Sequence, residues 1–211
     1  AWGMFLAIPC PRKIWSESAR QKMLVCMPLV GLLAGGVWAG AWLLLRGAPG
    51  PVRAAVCAAA PWLVTGFMHL DGYMDVCDAV LSRRDLATRQ RILKDSHCGA
   101  FAVICMVLLA MGQWSLFLAA EDVSWLGLLL IPAATRACAG LAVLGLRPMG
   151  TSQYAAMGPA RGGYGAALWV LLALSVGLPL WLDGSFGPLA AAAGYGLAVW
   201  YGFRNLDGMS G

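Results

Sequence analysis

The sequence predicts an all-α integral membrane protein, a polytopic bundle of about six transmembrane helices forming a single domain over 1–211. Three observations carry this. Apolar residues make up 60% of the 211, with 27 Gly in addition, against roughly 45–50% Gly included in a soluble domain. Charged residues are only 12%, about half the usual share. Apolar runs of about 17–25 residues recur, the length a bilayer core demands of a helix. This composition excludes an ordinary soluble enzyme, a disordered chain, a fibrous repeat and a basic DNA-binding domain. The net charge of +5 therefore reads as Lys and Arg gathered at one membrane face, with no nucleic-acid partner.

The runs fall at 23–45, 54–70, 100–120, 125–146, 164–182 and 187–203. Before them, Met4–Ile8 is too short for a signal-peptide core and is followed by Pro9 and Pro11. In the first span Gly31, Gly35, Gly36 and Gly40 let helix backbones approach closely, as packing within lipid requires. The second span is short and runs into a polar loop, 71–99. The fourth encloses Arg136, expensive at that depth unless it is paired or faces a hydrated cavity. Asp183-Gly184 marks a tight turn. The sixth is short and diluted by Gly. Trp42, Trp62, Trp125 and Trp181 sit near span ends, as an interfacial belt requires.

With six spans, twelve of the fifteen Lys and Arg fall on one side, in the N-terminal segment, the 71–99 and 147–163 loops and the tail. Only Arg46 and Arg53 fall on the other. By the positive-inside rule the basic side is cytoplasmic. The expected location is the cytoplasmic (inner) cell membrane, multi-pass, with its site facing the cytoplasm. Seven of the ten acidic residues sort to that same face, Asp71, Asp75, Asp78 and Asp95 among them.

Asp71, Asp75 and Asp78 have i, i+4, i+7 spacing, which places them within an arc of about 60° on one helix face. Like charges so arranged repel, and the repulsion grows where water is partly excluded. No Lys or Arg lies within the motif; Arg83 and Arg84 follow it. A hard divalent cation such as Mg2+ is the natural partner of these oxygens. The plainer alternative is a solvated first turn favoured by the helix dipole. A second cluster, Lys94-Asp95-Ser96-His97-Cys98-Gly99, precedes the third span. Asp95 either caps that span or joins the metal site. His97 reads as a base, a phosphate donor or an interfacial histidine, and His69 is similarly ambiguous. Arg136 reads as a phosphate clamp or as an ion-pair partner. The seven Cys form no CxxC pair, so they read as small buried residues rather than disulfides or a zinc site. No Walker A loop, GxGxxG or nucleophile elbow is present.

Carboxylates bearing Mg2+ beside several Arg suit chemistry on a phosphate or diphosphate at the membrane surface. A further carboxylate could take the proton from an attacking hydroxyl. A cation transporter or channel with an acidic cytoplasmic metal site is the alternative class. Clustering at one face rather than at midplane argues against it.

Gly66–Ala79 contains His69-Leu70-Asp71-Gly72, then Asp75 and Asp78. It closely resembles the H-x-D-G-x-x-D-x-x-D signature of the cobalamin synthase (adenosylcobinamide-GDP ribazoletransferase) family. Asp95-Ser96-His97-Cys98-Gly99-Ala100 resembles the D-S-x-x-G-A segment that follows. Ile8–Pro11, Pro28–Leu33 and Ala134-Thr135-Arg136 resemble further family segments, and Gly208–Gly211 the start of its G-x-[ST]-G-D motif. Ala79 stands where the family often has Gly. The family's next Asp and one more span are expected beyond residue 211. A CDP-alcohol phosphotransferase is less similar: position 68 is Met, and no Ala-Arg pair follows Gly72 at the required spacing.

The resemblance implies a Mg2+-dependent membrane transferase. It would join adenosylcobinamide-GDP and alpha-ribazole, or its 5′-phosphate, releasing GMP in the last step of nucleotide-loop assembly. Carried over, Asp71, Asp75 and Asp78 become metal and diphosphate ligands and catalytic residues, with Asp95 a further acidic member. His69, Arg83, Arg84, Ser96, His97, Arg136 and Ser210 become substrate-binding. Besides these substrates and the lipid bilayer, a homo-oligomer or an association with other corrinoid-pathway enzymes is the expected partner.

Overall fold

The computed structural model describes residues 2–9, 17–150, 152 and 163–209. Among them the fold is all-helical: α1 (Trp2–Phe5), α2 (Glu17–Leu44), α3 (Gly50–Val64), α4 (Met68–Leu81), α5 (Leu86–Ile92), α6 (Ala100–Ala119), α7 (Trp125–Gly145), α8 (Tyr164–Asp183) and α9 (Gly187–Leu206). The exception to helix is an isolated bridge pairing Pro148 with Met209.

Helix α7 is the hub, packing against α2, α8 and α9. Its small residues Ala133, Ala134, Ala137 and Gly140 are buried, so neighbouring backbones come close. A Cβ on Gly31 would lie 2.5 Å from the Pro132 carbonyl oxygen, and one on Gly35 2.0 Å from that of Leu129. At those two glycines, four residues apart, α2 meets α7 backbone to backbone. Gly36 and Gly40, expected to act with them, meet no such crowding.

Among the described residues four helices are long and apolar enough to cross a membrane: Lys22–Leu44, Ala100–Ala119, Trp125–Gly145 and Tyr164–Asp183. A fifth arises only if α3 and α4 count together, and those two are bent by 91°. This corrects the expected second span, 54–70. The helix stops at Val64 because Gly66 and Phe67 take left-handed φ of 60° and 61°. The Gly66 N–H then bonds the Leu63 carbonyl, and the Phe67 N–H bonds that of Trp62. This is the glycine-terminated helix end in which the last carbonyls are satisfied by the chain turning back. The acidic motif thus lies on its own helix, nearly perpendicular to the span before it. The sixth expected span corresponds to α9, which has the length but falls short in apolarity, because Gly, Tyr and Arg204 dilute it.

Helix α6 turns a broad apolar face outward, with Val103, Ile104, Val107, Leu108, Met111 and Leu116 all exposed. A contiguous apolar face of this size marks a surface facing lipid rather than water.

Gly35→Ala should lower stability by about 1–3 kcal/mol, because a methyl driven into backbone cannot be relieved by a rotamer change. Gly40→Ala should be nearly neutral. Thermal unfolding of the two variants in detergent measures the difference.

Candidate functional site

Helix α4 carries Leu70, Ala79 and Val80 on its buried side. Val80 and Ala79 pack with Met149 and Leu206, which ties α4 to the C-terminal end of α9. The carboxylates lie toward the start of α6. A cavity of about 310 Å³ opens there, lined by Asp71, Asp75 and Asp78 of α4 and by Lys94, Asp95, Ser96, His97 and Cys98 of the turn leading into α6. Met74, Leu93 and Ala102 complete it. Two clusters about twenty residues apart in sequence thus form one site.

Asp71 is exposed and Asp75 half-buried, so both offer oxygens to the cavity. Asp78 is buried, with 9% exposure, and its oxygens are engaged. Its Oδ2 accepts from the Gly99 N–H at 2.6 Å and its Oδ1 from the Ala102 N–H at 2.9 Å. These are donors of the first turn of α6, which has no side-chain cap of its own and whose free N–H groups need acceptors. Of the two roles open to Asp95, capping the third span is therefore taken by Asp78.

Asp95 instead turns onto its own neighbour. Its Oδ1 accepts from the His97 backbone N–H at 3.0 Å and lies 2.6 Å from His97 Nδ1. The bond to the His97 ring, then that to its backbone, hold the Asp95 carboxyl below the usual carboxylate range. Asp95 is thus an anion at neutral pH and fixes which ring nitrogen His97 turns away from it. Asp85, outside the cavity, is likewise held low by Thr88, whose side chain and N–H it binds at the start of α5.

The remaining expected residues are elsewhere. Arg83 and Arg84 are exposed and do not line the cavity. Ser210 lies outside the described residues. Arg136 is buried in α7, and its partner is His69 rather than an Asp: NH2 lies 3.0 Å from His69 Nε2, and NH1 donates to the Pro132 carbonyl at 3.4 Å. Neither member lines the carboxylate cavity. Lys94 and Gly99, named within the second cluster but given no role of their own there, are site residues too. The signal for Gly99 was an apolar run entered from Gly with no capping side chain, which obliges another segment to supply the acceptor.

The cavity holds four carboxylates against one lysine, so it attracts cations and repels a bare phosphate. Among the described residues no three His, Cys, Asp or Glu are gathered closely enough to form a ready-made cage for a metal ion. Mg2+ does not need one, since it is commonly held by one or two carboxylates with substrate phosphates and water. Asp71 and Asp75 fit that requirement.

His69→Ala should cost about 1–3 kcal/mol, because it leaves a buried guanidinium N–H unpaired. Replacing both partners by apolar residues, His69→Leu with Arg136→Met, should recover most of that loss. Thermal unfolding of the single and double variants checks it.

The chain matches the family described as cobalamin-5-phosphate synthase over residues 1–211. It is 38% identical over 156 residues to an adenosylcobinamide-GDP ribazoletransferase of Clostridium perfringens strain 13, covering 72% of this chain and 62% of that one. It is 44% identical over 108 residues to one of Clostridium botulinum strain Eklund 17B, covering 50% and 43%. A third, of Halalkalibacterium halodurans, is 40% identical over 145 residues, covering 64% and 54%. The aligned region thus spans less than two thirds of these relatives' own length. No solved structure matches. With the aspartate helix and the turn before α6 meeting in one membrane-associated cavity, the chain belongs to the cobalamin-5-phosphate synthase family.

Proposed function

We propose that the protein is the Mg2+-dependent transferase that joins alpha-ribazole, or its 5′-phosphate, to adenosylcobinamide-GDP with release of GMP. The observation that carries this is the charge of the cavity, with Asp71, Asp75, Asp78 and Asp95 facing one Lys94. A diphosphate can approach so many carboxylates only with a divalent cation between them. The names of the relatives supply the substrate that has such a diphosphate.

In this reading Asp71 and Asp75 hold the cation, and Lys94 meets the outer oxygens of the diphosphate. Held there by Asp71 and Asp75, a divalent cation would supply neutralising charge to the diphosphate and to the departing phosphate. The ribazole hydroxyl oxygen forms a bond to the phosphorus that bears the cobinamide. The bond from that phosphorus to the bridging oxygen breaks, and its electron pair leaves on GMP. The hydroxyl proton passes to a group at the rim, where Asp95 and His97 stand hydrogen-bonded to each other. Ser96 supplies a hydroxyl beside them. Arg136 and His69 act outside this cavity, and exposed Arg83 and Arg84 add positive potential in the turn that follows α4. The site opens at the N-terminal end of α6, an apolar helix, so a membrane-associated corrinoid and a water-soluble nucleoside can meet there. The cytoplasmic membrane, with the cavity on the cytoplasmic side, is the setting that the charge asymmetry favours.

The protein reconstituted in liposomes should release GMP from adenosylcobinamide-GDP plus alpha-ribazole, and EDTA should stop it. Asp75→Asn should lower turnover roughly 100-fold or more while membrane insertion is unchanged. Absence of GMP release with Mg2+ present, or a wild-type rate in Asp75→Asn, refutes the proposal.

A further inference from the structure

The geometry points to a division of labour among the three motif aspartates: Asp78 is a positioning residue that docks α4 onto the N-terminus of α6, and Asp71 and Asp75 alone face the ligand. This rests on the proposed function for what the ligand is, but not for the docking. Among the described residues Asp71 and Asp75 have no hydrogen-bond partner, whereas both Asp78 oxygens are bound by backbone N–H groups, of Gly99 and Ala102. The two bonds cross 21 and 24 residues of chain. They fix the residue at which the turn holding Asp95 and His97 ends. Asp78 stands on the same helix as Asp71 and Asp75, so one carboxylate sets the distance between the two halves of the cavity.

The contact is too close for any side chain at position 99. A Cβ on Gly99 would lie 2.6 and 2.7 Å from the Asp78 oxygens, nearer than real Cβ contacts come. Glycine is thus demanded there by the carboxylate itself, since its φ of −90° is one that any residue adopts. The arrangement also explains how a third like charge is tolerated on one helix face. The free N–H groups and positive end of the α6 dipole stabilise it, and no cation needs to be shared with its neighbours.

The test is thermal unfolding of the detergent-solubilised protein in EDTA, followed by Mg2+ titration read as the shift in Tm. Asp78→Ala should lower Tm in EDTA by about 3 °C or more. Asp78→Asn should fall between it and wild type, since an amide oxygen still accepts one of the two N–H groups. Gly99→Ala should be costly in the wild-type background and nearly free in Asp78→Ala, where the clash is gone. The Mg2+ concentration giving half the shift should be unchanged in Asp78→Asn and raised at least about tenfold in Asp75→Asn. An EDTA Tm that is unchanged or raised in Asp78→Ala overturns the inference. So does an equal cost of Gly99→Ala in both backgrounds, or a Mg2+ midpoint moved as far by Asp78→Asn as by Asp75→Asn. A wild-type Tm that ignores Mg2+ overturns instead the metal reading of the proposed function, and the EDTA variants still decide the docking role.

Discussion

A helix that enters lipid leaves backbone N–H groups free at one end and carbonyls at the other, and lipid offers no water to satisfy them. How two such ends are closed decides where the functional residues of this protein lie. At the end of α3 the chain turns back through Gly66 and Phe67, and the last carbonyls are taken up by that turn. The turn throws α4 off at 91°, carrying the aspartates out of line with the span. At the start of α6 the nearby Asp95 turns onto His97 instead, and Asp78 reaches across to accept from the free donors. The cavity is the space these two closures leave between them.

The frame that holds them is built differently. α2 and α7 meet backbone to backbone at Gly31 and Gly35, and α7 carries a row of buried alanines. In lipid there is no apolar drive between helices, so contact rests on close approach over small residues. In that frame buried Arg136 donates to His69 rather than to a carboxylate. Among the described residues this leaves Asp71 and Asp75 without an arginine partner at the cavity. Their charge, beside Lys94, is the feature on which the proposed cation and diphosphate reading rests.

Much of this was legible in the residues. The apolar runs located α2, α6, α7 and α8, because twenty-odd apolar residues have few other uses. The i, i+4, i+7 spacing put the aspartates on one face of a helix, and the charge asymmetry put the Asp95 cluster at the same end of the bundle. The break after Val64 was less visible, since Gly66 in an apolar run reads equally as a packing glycine and as a helix stop. The partners of Arg136 and Asp78 were not legible at all. Each bond joins segments 67 and 21 or more residues apart, and several polar groups were equally eligible by composition.

The sequence by itself determined that this is a helical membrane chain, and it determined which acidic residues share a helix side. Those properties follow from local rules, hydropathy and helical periodicity, that act within a few turns. The tertiary structure alone decided that Asp78 faces a helix end while Asp71 and Asp75 face open space. The difference is one of reach. A carboxylate's role depends on which donors the fold brings within 3 Å of it, and spacing along the chain says nothing of donors on another helix.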